Sequence, residues 1–151
     1  MPNWCVNRIK VKGPQTALEN FILRAKGEPY EDGCPNALDF QKFVPMPDAL
    51  KDTKSPSNGP NWYNWRLKNW GVKWPMGARV SSVSSKMVTY EGETPWVPPL
   101  NFLRTVSALC PTLTFSIEYW ERGMEFQGKV TFKNGEALSN WEGSYHGRKG
   151  G

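Results

Sequence analysis

The chain has one histidine, His146, and three cysteines, Cys5, Cys34 and Cys110, with no C-x-x-C pair among them. A lone imidazole and three scattered thiols assemble neither a four-ligand zinc or iron–sulfur set nor a histidine-based triad, and an odd, widely spaced count argues against a disulfide framework. No metal and no cofactor are therefore expected, and Cys5 and Cys110 should be buried as reduced thiols. Long apolar runs are also missing. Nothing approaches the ~18 residues of a membrane span, and no charged-then-apolar leader opens the sequence. The expected location is the cytoplasm, away from any membrane.

Acid is absent from Asn61 to Tyr90, where five lysines and arginines fall. The net charge of +5 is uneven: residues 1–27 carry +4, 28–60 carry −3, 61–90 carry +5, 91–122 carry −2 and 123–151 carry +1. If the two basic segments lie side by side, they make one positive face suited to phosphate or to an acidic protein surface. Arg8 and Lys10 in the first segment and Arg66, Lys68 and Lys73 in the second are the candidates to edge it. Solvated surface lysines are the plainer reading of the same residues.

What the sequence does have is tryptophan. Four of its eight, Trp62, Trp65, Trp70 and Trp74, lie in NWYNWRLKNWGVKWPMGA, residues 61–78. Each buried indole removes about 200 Å² from water, up to roughly 5 kcal/mol, so two rival the net stability of a domain. Core is the default role for such a cluster, and a binding surface is the alternative, because aromatic and basic residues together make interface hot spots. A helix from about Trp62 to Trp70 ends at Gly71, with Asn69 a candidate cap near its end. Val72 and Trp74 alternate with Lys73 as in a short strand. Trp70 and Trp74 are expected to be buried, with Lys73 pointing outward.

At 151 residues the chain is the size of one domain. Asn3 to Lys12 reads as a strand, and Gly13-Pro14 opens a helix whose stripe is Leu18, Phe21, Ile22 and Ala25. Ala37 to Pro47 reads as a second strand, 48–60 as a surface loop, and Arg79 to Tyr90 as a third strand. Gly92 to Pro99 reads as a turn holding Trp96, and Pro99 to Cys110 as a helix with Phe102, Leu103, Val106 and Leu109 on one side. Leu113, Phe115, Ile117 and Tyr119 alternate with Thr114, Ser116, Glu118 and Trp120. Phe126 to Lys133 alternates likewise, and Asn134-Gly135 is a strong hairpin signal leading to a last strand through Trp141. These elements predict an α+β fold, a ferredoxin-like β-α-β…β-α-β antiparallel sheet with a tryptophan-rich helix inserted at about 48–78 and a C-terminal β-hairpin. One domain over 1–142 and a frayed tail over 143–151 are expected.

The segments PNWCVNRIKVKG (2–13), NWRLKNWGVKW (64–74), TPWVPP (94–99) and LTFSIEYWERGMEFQGKVTFKNG (113–135) resemble the YubB-type ferredoxin-like family of uncharacterised bacteriophage and conjugative-plasmid proteins. The resemblance marks Asn3, Trp4, Cys5, Trp62, Trp65, Asn69, Trp70, Gly71, Trp74 and Trp96 as its structural signature. It implies the fold, a mobile-element origin and a bacterial host cell, and it supplies no activity.

No catalytic set emerges. Glu118 and Glu121 face opposite ways on one strand, and Cys5 has no base beside it. The leading reading is a non-enzymatic binding module acting on a host or element-encoded protein, counter-defence being one such role. The alternative is a single-stranded nucleic-acid-binding protein using a basic, aromatic face.

Overall fold

A computed structural model of the chain describes residues 2–147. Its strands are β1 (Trp4–Lys12), β2 (Arg79–Val83), β3 (Met87–Pro95), β4 (Thr114–Glu121), β5 (Phe126–Lys133) and β6 (Glu136–Ser144). Its α-helices are α1 (Gln15–Ala25), α2 (Trp62–Asn69) and α3 (Leu100–Leu109). The strands form one antiparallel sheet in the order β2-β3-β1-β4-β5-β6. β1-α1-β2 and β3-α3-β4 each leave room for an intervening strand, which is the split β-α-β arrangement of a ferredoxin-like sandwich. β5 and β6 extend it as a meander.

Alternation assigns the sheet's two faces. Cys5, Asn7, Ile9 and Val11 of β1, Val88 and Tyr90 of β3, Phe115, Ile117 and Tyr119 of β4, and Val130 and Phe132 of β5 are buried beneath the helices. Phe21 of α1 packs edge-on to Phe115 and Tyr90 at 5.4 and 6.4 Å between ring centroids. Phe102, Leu103 and Val106 of α3 complete the layer, while Ile22 is only half-buried at its margin. Cys5 is buried and Cys110 half-buried.

Five local expectations are corrected. Residues 37–47 form no strand. Asp39 accepts a hydrogen bond from the Gln41 N–H at 2.9 Å and opens a 3₁₀ turn, Phe40–Lys42. Such a turn eclipses positions i and i+3, which is how Phe40 and Phe43 are buried together. The stretch 79–90 holds parts of two strands, because the Ser84 hydroxyl accepts from the Lys86 and Met87 N–H groups and folds the chain back. β3 runs on to Pro95, through Gly92, where a Cβ would come 2.7 Å from the Gly77 carbonyl oxygen. Val72–Trp74 is a bend, not a strand. At the other end, β6 continues to Ser144 and Tyr145 is buried, so order reaches into the stretch expected to fray; residues 148–151 lie outside the described residues.

The tryptophan helix is built as its sequence suggests. Asn61 caps its start by accepting from the Asn64 N–H, and Gly71, at φ 84°, ends it in the left-handed conformation. Asn69 donates back to the Trp65 carbonyl at 2.9 Å. Trp70 is completely buried: its indole N–H donates to the Val44 carbonyl at 2.9 Å, and its ring meets Phe40 and Trp65 edge-on. Trp74 departs from expectation, being 40% exposed, because the bend at 71–74 carries it off the helix and out to the rim of the sheet.

Two expected outcomes follow for denaturant-unfolding measurements. Trp70→Ala, which also orphans the Val44 carbonyl, and Phe115→Ala should each cost about 3–5 kcal/mol, whereas Trp74→Ala should cost about 1 kcal/mol. Equal losses at Trp70 and Trp74 would contradict the burial difference between them.

Candidate functional site

The helices cover one face of the sheet. Side chains on the other face are ordered by strand register into rows. The first row runs Arg79, Glu91, Arg8, Glu118, Lys129 and Trp141 across all six strands. The row on one side is Ser82, Thr89, Lys10, Ser116, Thr131 and Ser139; that on the other is Glu93, Val6, Trp120, Gln127 and Gly143. Lys12 and Lys133 follow two residues beyond Lys10 and Thr131 on the same face.

Charge on this face favours cations. On β1 to β5 six cations, Arg79, Arg8, Lys10, Lys12, Lys129 and Lys133, oppose three carboxylates, Glu91, Glu93 and Glu118. Glu91 is neutralised from both sides, by Arg8 Nε at 3.0 Å and an Arg79 Nη at 3.2 Å. The Arg8 hydrogen bond holds its carboxyl below the ordinary range. Glu118 lies 4.0 Å from Lys10 Nζ.

Four indoles cross the same face toward the end where β1 begins. Trp141 is 48% exposed and rests on Gly143, whose Cβ, if present, would lie 2.8 Å from it. Trp120 is half-buried, with the Arg8 guanidinium 5.9 Å from its ring centroid. A cleft of about 100 Å³ between Trp120 and Trp141 has Gln127 and Lys129 in its lining. Trp4 is 40% exposed and meets Trp74 across 6.3 Å, and Lys73 Nζ sits 4.5 Å from the Trp74 ring centroid. At about 4.8 Å per strand, the series from β6 to β1 and on to Trp74 spans roughly 20 Å.

The five cations proposed to edge one face are divided by the fold. Arg8 and Lys10 project from the open face. α2, with Arg66 and Lys68, lies on the helical side against α3, where Asn101 donates to the Leu67 and Lys68 carbonyls at 3.3 and 3.0 Å. Arg66 is internal in role: it donates to the Lys73 carbonyl at 3.1 Å and lies 5.1 Å from the Trp62 and Trp70 ring centroids. Lys73 sits at the rim between the two groups. Trp62 and Trp65 are half-buried around Arg66 and Trp70, and Trp96 is 45% exposed, its backbone N–H donating to the Asn3 carbonyl at 2.8 Å.

Cys5 and Glu121 are further ionisable groups, and both are buried. Burial pushes the Cys5 thiol up to about 12, which keeps it protonated at neutral pH. The buried Glu121 carboxylate accepts from the Gly123 and Met124 N–H groups and shapes the β4–β5 turn. Sequence reasoning did not single out Lys129, Arg79, Trp120 and Trp141. An indole on the polar side of the β4 alternation was the available signal for Trp120; the others depend on register.

A model of the ferredoxin-like domain in Api92-like protein matches residues 69–148. The chain is 28% identical over 83 residues to the uncharacterized protein YubB of Escherichia coli (strain K12); the match covers 52% of this chain and 56% of that protein, little more than half its length. In structure it is similar to the crystal structure of protein api92 from Yersinia pseudotuberculosis, with a TM-score of 0.74 over 98% of this chain and 99% of that one. At 9% identity that likeness speaks for the fold alone. The family match, which covers over half of the chain, identifies it: the protein belongs to the Api92-like proteins carrying this ferredoxin-like domain.

Proposed function

We propose that this protein is a non-enzymatic binding module whose open sheet face takes single-stranded nucleic acid. The observation that carries the reading is the series Trp141, Trp120, Trp4 and Trp74 on a face where cations outnumber carboxylates. Indoles offer flat faces on which splayed bases stack, at about 1–3 kcal/mol per base, without regard to sequence. Arg8, Lys10, Lys129 and Arg79 border those rings, where they meet the backbone phosphates. Two of the three carboxylates that β1 to β5 place on the face are already neutralised by neighbours, which lowers the repulsion an approaching strand meets. A rigid, hydrogen-bonded sheet also needs little ordering on binding.

A protein partner is the second reading, and a different surface favours it. A groove of about 520 Å³ on the helical side is lined by Leu67, Val97, Leu100 and Phe126, with Glu142 in its wall. Leu67 and Val97 are 38% and 42% exposed. A mobile-element origin, which the family resemblance implies, would make that partner a host or element-encoded protein, with counter-defence as its purpose.

The test is fluorescence anisotropy with labelled single-stranded oligonucleotides at about 50 mM salt and upward. Affinity should fall steeply with salt, and Lys129→Glu should weaken it by about tenfold or more and flatten the salt dependence. Trp141→Ala should cost about 1–3 kcal/mol of binding with little change in stability. Lys68→Glu, on the helical side, should leave binding within about twofold. No binding at low salt, or equal loss with Lys68→Glu, would overturn this reading and turn the search to the apolar groove.

A further inference from the structure

Beside the paired indoles the sheet face deepens into a cavity of about 710 Å³. It forms because β3 outruns β2: pairing with β2 stops at Glu91, so Gly92 to Pro95 has no strand on its outer side. The bend carrying Trp74 and the loop carrying Tyr30 and Asp32 close that side instead. Val6 and Glu93 lie on the floor, and Arg79 stands at one edge.

The Trp4 and Trp74 rings form an offset stacked pair: their centroids are 6.3 Å apart and their planes diverge by 30°, within the range of about 4.5–7 Å usual for aromatic pairs. Each is 40% exposed, so the pair leaves ring surface open beside the cavity.

The polar groups beside the indole pair are unequal. Glu91 is occupied by two arginines, and Asp32 accepts the Cys34 N–H at 2.9 Å. Glu93 has neither a hydrogen-bond nor an ion-pair partner among the described residues, and it is exposed. It lies on β3 two residues from Pro95, the residue opposite Trp4, within diagonal reach of that ring. An ionised carboxylate only accepts hydrogen bonds. The ring it favours must present two adjacent N–H donors on one edge. Among the bases only guanine does so on its pairing edge, through N1–H and the 2-amino group. Adenine and cytosine offer one donor beside a lone pair, and thymine or uracil one donor flanked by two carbonyls.

We infer that the cavity beside the Trp4–Trp74 pair is a guanine pocket, in which the base stacks on the exposed indole surface, Glu93 accepts from its N1–H and 2-amino group, and Lys73 and Arg79 stand by its phosphates. This rests on the proposed binding of single strands by the sheet face, and it adds base selectivity at one end of that surface.

The test compares short oligothymidylates carrying one central guanine, inosine or adenine, with guanosine monophosphate as a separate ligand, by anisotropy and tryptophan quenching. The guanine strand should bind roughly tenfold tighter than the all-thymidine strand, the factor of a bidentate pair, and inosine, lacking the 2-amino group, should lose most of that gain. Glu93→Gln removes a charge and will raise affinity for every strand, so the readout is the guanine-to-thymidine ratio, which should fall to about one. Trp74→Ala should abolish the quenching by guanine. Strands that bind with no guanine preference, or a preference unchanged in Glu93→Gln, would overturn the pocket and leave the sheet-face reading intact. Quenching by guanosine monophosphate with no strand binding would support the pocket as a free-nucleotide site and overturn the sheet-face reading. No response to any of these ligands would overturn both.

Discussion

The buried indole of Trp70 is the contact through which the additions to the sheet are tied together. Its N–H reaches the Val44 carbonyl, its ring faces Phe40 and Trp65, and its own carbonyl accepts the Phe102 N–H at 3.3 Å as α3 begins. One residue thereby joins α2, the irregular segment after α1 and the start of α3. A Trp is buried without penalty only when its N–H is satisfied. The geometry of that single hydrogen bond fixes where α2 lies and, through Gly71, where the chain turns out toward Trp74. The stacking of Phe40 on Phe102, 3.8 Å between centroids and 9° between planes, reinforces the same junction.

Position at the rim of the sheet follows from this anchoring. Residues 71–78 leave the helical layer, close the part of β3 that β2 does not reach, and bring Trp74 onto Trp4. Val72, Met76 and Ala78 stay buried along the way, so the segment is held at these three points although it makes no ladder. The two indoles are thus presented by an irregular segment clamped at both ends. A recognition surface benefits from that, because little freedom remains to be lost on binding.

The open face has its own logic. Residues in one row of an antiparallel sheet interact across strands, and like charges placed opposite one another are destabilising. Arg79, Glu91, Arg8, Glu118 and Lys129 alternate in sign across five strands, so each cation has an anion beside it. The excess of positive charge appears at the ends of the row and along the β1 lysines, beside the indoles. Exposed pairs of this kind contribute little stability, on the order of 0–1 kcal/mol each. They set the potential of the face more than they hold it together.

Much of the architecture was legible in local pattern. The alternation of β4 and β5, the Asn134-Gly135 turn and the Gly71 stop of α2 all depend on residues within a few positions of one another, and each forms as read, while the α3 stripe holds at Phe102, Leu103 and Val106 but leaves Leu109 exposed. Local pattern misled where a side chain far away decided the outcome. Residues 37–47 have the apolar content of a strand but fold as a turn to place Phe40 and Phe43 against Phe102. Gly92 and Pro95 look like turn residues, yet they lie in a strand because Met76 and Gly77 need the room at Gly92. The candidate site was the least legible part. Trp141, Trp120, Trp4 and Trp74 lie far apart in the chain, and only the register of β1, β4, β5 and β6 and the bend after α2 bring them to one face. Pairing between distant strands is set by the burial of the opposite face, and that is a property of the assembled core which no short stretch of sequence contains.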